Sequence, residues 1–241
     1  MLGYPDQALK HANEGIRLAR ELSHPFSLAR ALNYASEVHY QRRQWEDVKQ
    51  CAQQATRLAA DLGFPLVIAF GESLLGRLLV EQGRGEEGIA QIHRALAGVR
   101  DTGGYRMALL LSVFAEACRT IGLRDQGLRA VAEALPLCEK YTYESEVLRL
   151  KGELLLLSGP QSLKSRAQQA EGCFCRAIEI ARRQEAKSLE LRAAMSLSRL
   201  WQKQGKKTEA RKLLAEIYGW FTEGFDTADL KEAKGLLDGR S

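Results

Sequence analysis

Gly83-Arg-Gly-Glu-Glu-Gly88 is one of a set of related stretches spread along the chain. The others are Gly3-Tyr-Pro-Asp-Gln-Ala8, Arg43-Gln-Trp-Glu-Asp-Val48, Gly122-Leu-Arg-Asp-Gln-Gly127 and Gly205-Lys-Lys-Thr-Glu-Ala210. Each reads as a turn, a few polar residues and a short side chain that opens an amphipathic run. With a sixth copy ending at Ala170, the last residues fall at 8, 48, 88, 127, 170 and 210, a beat of about 40 residues. A beat of that length filled with helix formers describes a helix-turn-helix unit. Such a unit cannot bury its own apolar face and must stack on its neighbours.

The runs that follow keep a helical stripe. Ala8, Ala12, Gly15 and Ala19 stand at i, i+4, i+7 and i+11, as do Val48, Ala52, Ala55 and Ala59, and Gly127, Val131, Ala134 and Cys138. Small residues there let two antiparallel helices approach closely. Hydrophobic residues make up 45% of the chain and Pro only 5 positions, and no stretch alternates with the period of two that a half-buried strand requires. The expected fold is therefore all-α.

Connections carry their own punctuation. His24-Pro25, Phe64-Pro65, Gly103-Gly104 and Tyr141-Thr142 divide one unit from the next, since Pro can open a helix and Gly can close one. The division expected is a partial unit at 1–23, units at 24–63, 64–103, 104–141, 142–185 and 186–222, and a capping helix at 226–238 with Asp226 as its N-cap. Ser158-Gly-Pro-Gln-Ser162 is expected to protrude as a loop inside the fifth unit. The first unit begins at its hairpin turn, so the stripe Leu9, Ala12, Ile16 and Ala19 lacks a partner helix. The expectation is a piece of a longer protein whose isolated N-terminal hairpin frays or self-associates through residues 1–22.

The charge is +5, and it lies in residues 161–241, where 16 Lys and Arg face 11 Asp and Glu. The excess is dispersed along helices instead of forming a run, which favours a solvated basic face over a phosphate-binding stripe. No apolar run approaches the roughly 20 residues that cross a bilayer. The opening residues lack the basic-then-apolar order of a secretory signal. Five cysteines, all in helical patterns, suit free and mostly buried thiols in a reducing compartment, so a cytoplasmic location is expected.

No motif demands catalysis. Gly83-Arg-Gly-Glu-Glu-Gly88 matches the dinucleotide fingerprint by letter, but a helix precedes it and two glutamates would repel a phosphate. Cys173 and Cys175 point about 200° apart on a helix and cannot share a metal. His11, His24, His39 and His93 are scattered, and no phosphate loop or nucleophile elbow is present. The reading is a non-enzyme without a metal or cofactor.

The repeat resembles the tetratricopeptide repeat. Leu197, Ser198, Trp201, Gly205, Ala210 and Leu214 sit at that family's offsets, as do Leu75, Gly76, Leu79, Gly83, Gly88, Ile92 and Ala95. The beat exceeds the family's basic unit of about 34 residues. The resemblance implies a right-handed superhelical α-solenoid ending in a capping helix, with the first helix of each hairpin lining a concave groove. The family's groove offsets fall on Arg30, Asn33, Glu37, Tyr40, Arg77, Glu116, Arg119, Arg149, Glu153, Arg192, Arg199 and Lys203. Mixed charge at the start and positive charge at the end could read an acidic or carboxylate-bearing peptide. Internal Glu–Arg pairing, as between Arg149 and Glu153, is the competing reading.

The stretch from Lys187 to Lys234 also looks like the C-terminal region of bacterial proteins that join a class III adenylate or guanylate cyclase to a predicted ATPase and a tetratricopeptide tail. That implies a regulatory, protein-binding role in signal transduction. The partner would be a protein or peptide in the groove, or other domains of the same parent molecule. A nucleic-acid-associated module using the basic last third is the weaker alternative.

Overall fold

The computed structural model describes residues 1–99, 106–138 and 143–239. The expected boundaries at Gly103-Gly104 and Tyr141-Thr142 lie outside the described residues. Within them the chain is helical, about 80%, with no strand. Two compact units emerge, one spanning Pro5–Ile121 and the other Gly122–Ser241 together with Met1–Tyr4.

The first unit contains α1 (Pro5–Glu21), α2 (Pro25–Gln41), α3 (Trp45–Leu62), α4 (Pro65–Glu81), α5 (Gly85–Ala97) and α6 (Met107–Thr120). Consecutive helices pack as antiparallel hairpins, and α4 also touches α2 and α6. Pro25 and Pro65 open α2 and α4, where the missing N–H leaves no bond unmade. The second unit contains α7 (Arg124–Ala134), a 3-10 turn at Leu135–Leu137, α8 (Glu144–Leu156), α9 (Leu163–Arg183), α10 (Lys187–Lys203), α11 (Lys207–Tyr218) and α12 (Ala228–Leu237). Here α10 rests on both α8 and α9, and α12 closes on α10 and α11.

One turn geometry is used throughout. Ser23, Arg43, Gly63 and Gly83 in the first unit, and Gly122, Glu185 and Gly205 in the second, all have φ between +49° and +85°. At Gly83, the Arg84 N–H donates to Leu79 O at 2.9 Å and the Gly83 N–H to Val80 O at 3.1 Å. These are the two bonds of a Schellman motif, and they satisfy carbonyls that the helix end leaves open. The same pair recurs at Ser23, Arg43, Glu185 and Gly205.

Hairpins close through small side chains. Val48, Ala52, Ala55 and Ala59 are fully buried on α3. At the crossing of α4 and α5, Gly76 and Gly88 meet so closely that a Cβ on Gly76 would lie 2.8 Å from the Gly88 carbonyl oxygen. On α1 only Ala19 of the expected stripe is fully buried, while Leu9, Ala12 and Ile16 are half-buried. The second unit's core gathers Leu148, Phe174, Ile178, Leu191, Met195, Leu214, Phe221 and Leu230. The expected loop at 158–162 is exposed, and Arg166 ties its base by donating to the Leu156 carbonyl at 3.3 Å and to that of Leu157.

Asp226 is not the cap of the last helix. Thr227 holds the N-cap position, without a side-chain cap bond. Its hydroxyl instead donates to Gly224 O at 2.6 Å, because the turn at Gly224, with φ +75°, folds that carbonyl back onto it.

Two glycine substitutions should separate turn geometry from packing. Gly83 has open space around it, so Gly83→Ala meets only the positive φ and should cost about 1 kcal/mol. Gly88→Ala drives a methyl into backbone and should cost more, about 1–3 kcal/mol. Arg43→Gly should be neutral or stabilising by a few tenths to about 1 kcal/mol, because relief of the positive φ opposes the added freedom of the unfolded chain. Urea titration of the three variants checks the order.

Candidate functional site

In the first unit, the exposed and polar positions of α2, α4 and the start of α6 form one face. Phe26, Arg30 and Tyr34 follow at i, i+4 and i+8 along α2, so their side chains stack. The Arg30 guanidinium lies 5.6 Å from the Phe26 ring centre and 5.7 Å from that of Tyr34, and its Nη2 donates to the Tyr34 hydroxyl at 3.0 Å. Arg106, at the N-cap of α6, continues the series, 5.1 Å from the Tyr34 ring and 4.4 Å from that of Phe70. Phe64 adds an edge contact to Phe26 at 4.6 Å. Rings and guanidiniums thus alternate from Phe26 to Phe70. Phe26, Arg30 and Tyr34 are exposed, whereas Phe70 is buried.

Beside that ladder the face is cross-linked by polar contacts. Arg106 pairs with Glu37 at 2.6 Å, and the Tyr40 hydroxyl donates to Glu116. Arg77, only 3% exposed, pairs with Glu81 at 2.5 Å, reaches Thr120 Oγ1 at 3.2 Å and lies 5.6 Å from the Trp45 ring. Burial works to lower the Arg77 pKa, but Glu116, Tyr40 and Glu81 outweigh it and raise it. Asn33 Oδ1, Arg77 Nε and Nη1, and Arg119 Nε are buried without a protein hydrogen-bond partner.

Of the groove residues expected here, Tyr40, Arg77 and Glu116 therefore interact with one another, Glu37 is held by Arg106, Arg30 is exposed, and Asn33 and Arg119 carry buried atoms without a protein partner. Phe26, Tyr34 and Phe70 were not anticipated, although the i, i+4, i+8 spacing of Phe26, Arg30 and Tyr34 is visible in the sequence. Arg106 follows the glycine connection and carried no such signal.

In the second unit most of the expected residues are engaged within the fold, chiefly by side chains outside the expected set. Arg149 pairs with Glu146 at 2.6 Å and sits 3.8 Å from Glu153, which accepts from the Ser196 hydroxyl at 2.6 Å. Arg192 pairs with Asp229 at 2.6 Å and Arg199 with Glu232, both on α12, while Lys203 is exposed. Other cations of the basic third are engaged as well. Arg182 and Lys187 hold the buried Glu190 at 2.6 and 2.8 Å, and Lys206 reaches Glu171 at 3.4 Å. Part of the positive charge is thus engaged in ion pairs on several helices.

The glycines of Gly83-Arg-Gly-Glu-Glu-Gly88 each have a structural task. Gly83 makes the turn, Gly85 backs onto Ile121 and Gly88 admits Gly76. Among the described residues, no group of three His, Cys, Asp or Glu side chains could hold a metal. Cys118 and Cys138 are buried, Cys51 and Cys173 are half-buried, and Cys175 is exposed. Burial, aided by Glu144, pushes the Cys138 thiol up to about 11, and burial raises Cys51, Cys173 and Cys175 too. None of these four is poised as a thiolate.

Glu37→Ala should cost about 2–3 kcal/mol, because it leaves Arg106 without its carboxylate in a largely buried place. Adding Arg106→Ala should recover part of that loss, with a coupling of about 0.5–3 kcal/mol in a double-mutant cycle read by chemical denaturation. At pH 8, a thiol reagent should modify Cys175 before Cys138. Because the Cys138 pKa is raised on folding, its contribution to stability is fully present below the unfolded thiol's pKa of about 8.5. It should fall as pH climbs from there toward 11.

No protein-family model matches the sequence, and no curated protein does so significantly. Solved structures do match. BtubC (BKLC) from P. vanneervenii superposes with a TM-score of 0.61 at 15% identity, covering 91% of this chain and 94% of that one. Yeast Tom70 gives 0.59 at 14% identity, over 96% of this chain and 43% of Tom70. Pseudomonas aeruginosa pilF gives 0.55 at 15% identity and 88% of each chain. At these identities the likeness concerns the fold, and the fold is an all-α solenoid of tetratricopeptide-like hairpins.

Proposed function

We propose that the chain is a protein-binding scaffold whose first unit takes a partner's peptide along the α2, α4 and α6 face. One observation carries the reading: two exposed rings, Phe26 and Tyr34, flank a guanidinium, that of Arg30, which the fold already holds in place. Rings supply apolar area and the guanidinium supplies charge-assisted donors, the combination enriched where proteins bind one another. An acidic segment with apolar side chains is the complement of this edge. Buried donors and an acceptor without partners behind it, on Arg77, Arg119 and Asn33, suit a face tuned for binding at some expense of stability.

The hairpin division from 24–63 through 186–222 belongs to the same proposal. So does a role as the regulatory arm of a bacterial cyclase–ATPase signalling protein, which the likeness of residues 187–234 supports. No helix among the described residues is long and apolar enough to cross a membrane. Free thiols at all five cysteines suit a reducing cytoplasm. Dispersal of the charge along several helices, with part of it in ion pairs, weighs against the nucleic-acid alternative.

Selection of a displayed random-peptide library on the chain tests the binding face. Peptides enriched on the wild type should be acidic and should lose at least about tenfold in affinity to Arg30→Glu/Tyr34→Ala. Thermal melting should change little, since both side chains are exposed. Binders that ignore both substitutions would place recognition elsewhere.

A further inference from the structure

The segment Met1–Tyr4 belongs with the second unit, and its fit there is specific at three of four positions. The N-cap of α10 is Ala186, which has no side-chain acceptor; the Lys187 N–H turns to Glu185 O at 3.0 Å and the Leu189 N–H to Ala186 O at 2.9 Å, which leaves the Ser188 N–H to be met from outside the helix. The Met1 carbonyl oxygen accepts from it at 3.0 Å. The Met1 side chain covers an apolar patch of Ala181, Ala186 and Leu189, all buried.

Gly3 then crosses the face of Trp220. It is buried, with φ +101°, a backbone state open to glycine alone. A Cβ there would stand 2.5 Å from Trp220 Cζ3 and 2.8 Å from Lys187 Cβ. Tyr4 packs against Trp220 with ring centres 5.3 Å apart, and the Lys187 ammonium lies 5.7 Å from the same indole. Leu2 contributes little, being 59% exposed.

We propose that the surface formed by the α9–α10 turn, the first turn of α10 and Trp220 is a docking site for a short extended peptide of the pattern Met-any-Gly-Tyr, occupied here by the chain's own Met1–Tyr4. The features match those of a peptide site: a backbone bond to an open helix amide, a pocket for an unbranched apolar side chain, a contact that admits only glycine, and an indole for an aromatic. Four residues without regular structure form a small interface, so the segment can exchange with a competing peptide of the same pattern. The site is separate from the α2, α4 and α6 face and does not depend on the function proposed for it.

Amide exchange at Ser188 in the full-length chain reads the site directly. Wild type should be protected there. Gly3→Val, which forces both the clash and the positive φ, and Met1→Asp, which empties the apolar patch by another route, should each raise the exchange rate by about tenfold or more. Leu2→Glu should leave it unchanged. Adding the synthetic peptide Met-Leu-Gly-Tyr-Pro-Asp-Gln-Ala to the Gly3→Val chain should restore protection, and the same peptide with Gly replaced by Val should not. Unchanged exchange in both emptied variants would overturn the proposal, as would failure of the peptide to restore it.

Discussion

Two helices joined by a three-residue turn leave most of their apolar surface uncovered, and this fold has a single answer to that deficit. Hairpins cross on short side chains, at Gly76 and Gly88 so short that the backbones nearly touch, and the outer stripe then meets the next helix. Gly76 against Gly88, and the buried row Val48, Ala52, Ala55 and Ala59, are where the constraint is tightest. A larger residue at these places would separate the helices and misplace everything they carry, since cores close-packed at this density transmit strain. The left-handed turn residue is the companion requirement. It ends one helix within a fixed number of residues and sets where the next begins.

That regularity makes a common polar face possible. Side chains from α2 and α6 meet directly, Glu37 with Arg106 and Tyr40 with Glu116, while Arg77 of α4 lies beneath a carboxylate-rich cover. Most charges on the face are therefore committed inward. At its edge on α2, rings and a guanidinium are exposed together. The second unit commits its charges further still, with Arg192 and Arg199 engaged by the last helix.

Much of this was legible in the sequence because it depends on local period. Helical stripes, turn glycines and the prolines before α2 and α4 all report on neighbours a few residues away. Turn geometry was harder to read where Ser23, Arg43 and Glu185 adopt a glycine-like φ without being glycine. Individual groove positions were legible, but their partners were not. Arg106 lies 69 residues from Glu37, and Asp229 lies 37 from Arg192, separations at which no periodicity connects two side chains. Asp226 illustrates a different gap. A good capping residue one position early is displaced when a tight turn recruits the next hydroxyl. The seating of Gly3 on Trp220 joins opposite ends of the chain, and nothing near Gly3 announces it.

Arg30 carries one consequence beyond its charge. A long cationic side chain in water samples many rotamers, and capturing a ligand usually means surrendering that freedom, a loss of roughly 0.5–1.5 kcal/mol for each such group. Between Phe26 and Tyr34 the guanidinium plane has been narrowed to a few orientations before any ligand arrives. Recognition at this edge would therefore begin with its entropy already reduced, and a lysine of equal charge, lacking the flat surface that the rings grip, would not inherit the advantage.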